Sequence, residues 1–136
     1  MDAEVEELLV RAFIVPAKRA QYVSRLGLPK ARQKFINSHF FHMHDLDARF
    51  AERIAPRDQN ATAIYAMLRK RGAPETCYVM SGSSDLDGEV ADLREALVRV
   101  VDEGHDGTFV SCIPGRLAYF DGEERGERYI LARCDN

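Results

Sequence analysis

Between residues 16 and 44 the chain has no aspartate or glutamate, although it carries 22 acids against 19 lysines and arginines overall. That gap leaves six cations, Lys18, Arg19, Arg25, Lys30, Arg32 and Lys34, with no acid inside their own segment. Cysteine is also scarce. Cys77, Cys112 and Cys134 are odd in number, far apart and without a CxxC pair. This argues against a disulfide framework and suits buried free thiols in a reducing cytoplasm. No apolar run approaches the roughly 18 residues that a membrane span needs. The opening MDAEVEELLV is acidic and amphipathic, whereas a secretory leader opens basic, so a cytoplasmic location and no membrane partner are expected. Internal repeats and low-complexity linkers are missing, so residues 1–136 are expected to form a single domain.

The net charge of −3 conceals an asymmetry: residues 1–71 sum to +5 and residues 72–136 to −8. Such a dipole steers an anionic partner toward one face, or pairs the two halves with each other, within a chain or between copies in a homo-oligomer.

The hydrophobic period divides the chain at about residue 72. Before it the pattern is helical. Val5, Leu8, Leu9, Ala12 and Phe13 predict a helix over 3–14. Pro16 and Pro29 fit the first turns of a second and a third helix, ending near Gly27 and residue 40. His44 to Asp47 reads as a break, with Leu46, Phe50 and Ile54 on a short helical turn. Ala61, Ile64, Tyr65 and Leu68 form the buried face of a fourth helix, stopped by Gly72 and Pro74. After it, Thr76 to Met80, Thr108 to Ile113, Leu117 to Phe120 and Tyr129 to Leu131 read as strands. Val90, Leu93, Leu97, Val100 and Val101 read as one helix face between the first two. The fold class expected is α+β: four N-terminal helices (residues 1–72) on a small mixed four-stranded sheet of order β-α-β-β-β (residues 75–134), with one right-handed parallel crossover.

Chemistry-bearing residues gather in three places. His39, His42 and His44, followed by Asp45 and Asp47, place imidazoles beside carboxylates. His39, His42, His44 and Asp45 are candidate ligands for a divalent metal, although no HExxH accompanies them. The loop Ser81 to Gly88 follows a strand and precedes a helix, where a ligand commonly binds. Ser81, Ser83, Asp85 and Asp87 are its candidate contacts, and their acidity favours a cation or cationic group. Neither a P-loop, nor GxGxxG, nor GxSxG is present there. Arg116, beside the Pro114-Gly115 turn, is the candidate for an acidic ligand.

The third place is the basic stretch, interleaved with Tyr22, Phe35, Phe40 and Phe41, as on nucleic-acid surfaces. The expected function is a small cytosolic non-catalytic binding or regulatory module. Lys18, Arg19, Arg25, Lys30, Arg32 and Lys34 would engage an acidic protein or nucleic acid. The alternative is a metal-assisted hydrolase or phosphotransfer enzyme that uses Asp85, Asp87 and the histidines.

Overall fold

The computed structural model describes residues 1–133; Cys134, read as a buried thiol, lies outside them. The chain is α+β. Helix α1 spans Ala3–Phe13, α2 Arg19–Leu26, α3 Pro29–His39, α4 Ala61–Lys70 and α5 Leu93–Leu97, the last continued by a π-helical turn over Val98–Asp102. Strands are β1 Ala51–Arg53, β2 Thr76–Ser81, β3 Val90–Asp92, β4 Thr108–Ile113, β5 Leu117–Asp121 and β6 Arg128–Ala132. They form one sheet in the order β1-β6-β5-β4-β2-β3, with every neighbouring pair antiparallel.

Helices α1, α4 and α5 start where short polar side chains satisfy free backbone N–H groups. Asp2 accepts from Val5 N, Asn60 from Ala63 N and Asp92 from Glu95 N. Pro29 opens α3, where its missing N–H goes unneeded. Each helix then turns one apolar stripe toward the sheet.

The sheet is covered on both faces. Cys77, Val79, Val110, Cys112, Leu117, Tyr119 and Ile130 face α4 and α5 with Ile64, Leu68, Leu97 and Val100. Tyr78, Met80, Phe109, Ala118, Phe120 and Leu131 face the N-terminal helices with Leu9, Phe13, Tyr22 and Ile36. This alternation follows from the two-residue period of a strand. It also explains the continuous apolar runs: a strand buried on both sides has no polar face to show.

The mixed four-stranded sheet is therefore corrected to a six-stranded antiparallel one. Two elements account for the difference. Val90 to Asp92, read as the start of a helix, is instead β3 on the sheet edge, and Val90 is 72% exposed there. Asp92 caps the helix from outside, so α5 cannot begin before Leu93. Gly88 sits at φ +80°, which turns β3 back along β2, with Gly88 N donating to Val79 O at 2.8 Å. Because β3 carries the chain back, α5 starts beside Glu75 and β4 enters antiparallel at the Ser81 end of β2. No parallel crossover is needed. The second element is β1. Its residues follow a turn of 3-10 helix over Ala48–Phe50, whose first N–H groups Asp47 caps, and they pair with β6 as the opposite edge. The expected helical turn through Ile54 is thus confined to three residues.

Where β2 leaves the sheet, the Phe41 ring is wedged between two glycines. A Cβ on Gly82 would stand 2.7 Å from two carbons of that ring, and one on Gly107 3.1 Å from it. Gly82→Ala is expected to destabilise the protein by ~1–3 kcal/mol through overpacking. The loss should shrink in a Phe41→Ala background, which a double-mutant cycle by urea unfolding measures.

Candidate functional site

The six cations of residues 16–44 divide into two groups. Lys18, Arg25, Lys30 and Lys34 are exposed, and Arg19 is half-buried with Nε donating to Ile14 O at 2.8 Å. Arg32 departs from the surface role expected of it: its side chain is 7% exposed, between Glu6 and Asp87. Nη1 and Nη2 donate to the two Glu6 oxygens at 2.5 and 2.7 Å, Nε and Nη2 to the two Asp87 oxygens at 2.8 Å each, and Nη1 to Leu26 O at 3.1 Å. All five guanidinium N–H groups are consumed, so none is left for a partner. Tyr78 donates to Glu6 Oε2 at 2.6 Å, and Asp2 N donates to the Tyr78 hydroxyl at 2.9 Å. Burial, then the hydrogen bond to Glu6, push the Tyr78 phenol above its ordinary range. For Arg32, burial opposes the charge, but the hydrogen bonds to Asp87 and Glu6 outweigh it and the pKa rises.

This cluster flanks a cavity of about 370 Å³ whose lining includes Met1, Glu6, Leu26, Arg32, Ser84 and Asp87. The loop expected to receive a ligand is folded onto it. Ser81 N donates to Asp87 Oδ1 at 3.1 Å, Ser83 N to Ser81 Oγ at 3.0 Å, and the Ser81 and Thr108 hydroxyls bond at 2.7 Å. Asp85 is exposed. Arg116 lies after β4, at the end of that strand opposite the Ser81–Thr108 pair, so it does not join this loop. It lines a separate cavity of about 510 Å³ with Arg71 and Arg133.

The histidines diverge as well. His39 Nδ1 lies 3.0 Å from Phe35 O, and its ring stacks on Phe35 at 4.0 Å. His42 Nε2 meets Glu123 at 2.8 Å, and His44 is exposed. Asp45 accepts from the Tyr22 hydroxyl at 2.7 Å, and Asp47 is bound to Arg49. Among the described residues no group of three or more His, Cys, Asp or Glu side chains is arranged to hold a metal ion. Cys77 and Cys112 are buried and free, and burial pushes the Cys77 thiol up to about 12, which suits an inert thiol.

Between α2 and α3 the cations form a groove of about 240 Å³. Arg25, Lys34 and His39 line it with Gln21, Phe35 and Ser38, and no acid does. Tyr22, Phe35 and Phe40 are 1, 6 and 0% exposed, so these aromatics belong to the core and offer no flat surface for stacking.

Sequence reasoning missed two buried carboxyls. Glu6 falls on the same stripe of α1 as Leu9, Val10 and Phe13, and an acid on a buried stripe requires a base. Asp121 alternates in phase with Tyr119 at the end of β5 and is wholly buried. Tyr119 donates to its Oδ2 at 2.7 Å, and Arg128 Nε lies 3.4 Å from its Oδ1. Burial is the chief cause that pushes the Asp121 carboxyl up to about 6; Tyr119 and Arg128 oppose the rise, and neighbouring Asp106 adds to it.

Two outcomes follow from these clusters. Removing the shared base in Arg32→Met should cost ~3–5 kcal/mol, because Glu6 and Asp87 stay buried without their partner. The same change at exposed Lys30 should stay within ~0.5 kcal/mol, both read by urea unfolding. The Asp121 carboxyl binds its proton more tightly folded than unfolded, so its ionisation weakens the fold. Its contribution to stability is greatest below the unfolded carboxyl pKa of 3.8 and is lost as pH rises through about 6. Unfolding of the wild type against Asp121→Asn should therefore show the wild type gaining up to ~3 kcal/mol relative to the variant between neutral pH and pH ~4.

No helix among the described residues is long and apolar enough to cross a membrane. Comparison of the chain with protein-family models, with curated proteins and with solved structures gives no match.

Proposed function

We propose that this protein is a non-catalytic binding module that engages an acidic protein segment through the cationic surface of α2 and α3. The observation that carries the reading is the exposed set Lys18, Arg25, Lys30 and Lys34, on a segment without a single acid, of which Arg25 and Lys34 line one groove. Cations left in water without local carboxylates keep their field for a partner. Arg32 serves the fold instead, and its neutralisation by Glu6 and Asp87 leaves the four exposed cations to recognise the partner.

A protein partner is favoured over nucleic acid for two reasons. Of the rings that would stack on bases, Tyr22, Phe35 and Phe40 are buried in the core, and Phe41 is wedged against Gly82 and Gly107. The chain as a whole is negative, at −3, so a long polyanion meets repulsion from residues 72–136 while a short acidic segment does not. The metal-assisted alternative lacks a shared site among the described residues, since Asp87 is tied to Arg32, His39 and His42 meet different neighbours and His44 is exposed.

A fluorescein-labelled glutamate-rich peptide tests the reading. It should bind at low ionic strength and weaken as salt rises. Lys18→Glu with Lys30→Glu should reduce affinity by about tenfold or more, equivalent to ~1.4 kcal/mol. Absence of binding at low salt overturns the proposal. Tighter binding to a single-stranded oligonucleotide than to the peptide overturns the choice of partner.

A further inference from the structure

We infer that the groove between α2 and α3 seats a phosphate monoester on the acidic partner, such as a phosphorylated side chain; this rests on the binding function proposed above. Arg25 comes from the last turn of α2, and Lys34 and His39 come from α3. These side chains meet across one groove of about 240 Å³ with no carboxylate in its lining. Several cations elsewhere are bound to acids: Arg11 to Glu7, Arg32 to Glu6 and Asp87, Arg49 to Asp47 and Arg71 to Glu52.

The charge and donor geometry select the ligand. Guanidinium and ammonium in one groove exceed what a single carboxylate balances. A phosphate monoester carries about −1.5 to −2 and three acceptor oxygens at neutral pH. Guanidinium grips two of those oxygens in a fork, and ammonium adds a compact point charge that a flexible stem can aim. His39 is held for the task. Its Nδ1 faces Phe35 O at 3.0 Å, and since a carbonyl only accepts, that nitrogen carries the hydrogen. Stacking on Phe35 at 4.0 Å and edge contact with Tyr22 at 5.7 Å hold the ring, and Nε2 donates to a phosphate oxygen when the ring is protonated; in the neutral ring it only accepts. Phe35 is 6% exposed, so the floor beneath belongs to the core. The Ser38 hydroxyl donates to Lys34 O at 2.8 Å and is thereby occupied. Recognition therefore falls to the three nitrogen-bearing side chains. A partner that binds loosely through its acidic residues would then gain affinity when it is phosphorylated.

Three fluorescein-labelled peptides test this with the whole chain. One is glutamate-rich with a single phosphoserine. The second has serine at that place, and the third has two further glutamates there to match the charge. The phosphopeptide is expected to bind about tenfold tighter than either control. Arg25→Ala and Lys34→Ala should remove that preference, and Lys18→Ala should lower all affinities while keeping it; circular dichroism verifies that each variant is folded. Equal affinity for the phosphopeptide and the charge-matched control overturns the phosphate seat and leaves the binding function standing. A preference that survives the Arg25→Ala/Lys34→Ala double variant overturns its location. If none of the three peptides binds, both readings fall.

Discussion

Arg32 holds three separate segments of the chain to one point. Its guanidinium bonds Glu6 of α1 and Asp87 of the loop after β2, and its backbone belongs to α3. Tyr78 of β2 completes the cluster through Glu6. A buried charge of this kind is strongly destabilising when left alone, so the arrangement tolerates little slippage of α1 over the sheet or of α3 against the loop. It gives the N-terminal helices a defined register on an otherwise apolar interface, where side chains such as Leu9, Phe13 and Met80 constrain position less sharply.

That register decides which cations remain outside. With Arg32 turned inward, Lys30 and Lys34 on the same helix point to solvent, and Lys34 meets Arg25 across the groove. The buried triad and the exposed cationic surface are two consequences of how one helix is rotated. The acidic second half supports this indirectly: one of its carboxylates, Asp87, is drawn into the N-terminal half, and the basic stretch keeps its surplus. The charge asymmetry along the chain is thus both a folding device and a surface property.

Asp121 shows the opposite use of a buried carboxyl. Glu6 and Asp87 share a fully bonded base, whereas Asp121 has a phenol on one oxygen and an arginine at 3.4 Å from the other. Burial therefore outweighs its partners and raises its affinity for a proton. Asp47, bound by Arg49 through both of its oxygens, moves the other way, to about 2. The balance of desolvation and hydrogen bonding, more than burial alone, separates these carboxyls.

Local chemistry was legible wherever period and capping act over a few residues. The stripe of α4, that of α1 apart from the exposed Leu8, the proline start of α3, and the doubly buried runs of β2, β4, β5 and β6 are all written in neighbouring side chains, whereas Pro16 opens a 3-10 turn ahead of α2. So was the acid-free basic segment that contributes the exposed surface. The short edge strands β1 and β3 were not legible, because three residues carry too little periodic signal and take their form from the partner strand. The direction of β4 against β2 depended on β3, so the sheet changed from mixed to antiparallel once that reversal was present. Among the candidate site residues, only three-dimensional proximity could separate Arg32 from Lys30 and Lys34, since the acids that bury it lie 26 residues before and 55 residues after it. Sequence alone determined which groups are charged and which of the longer segments are helical or extended; the tertiary structure decided the short edge strands, which charges neutralise one another and which are left to meet a partner, because strand pairing and Coulomb and desolvation energies depend on distances that only folding sets.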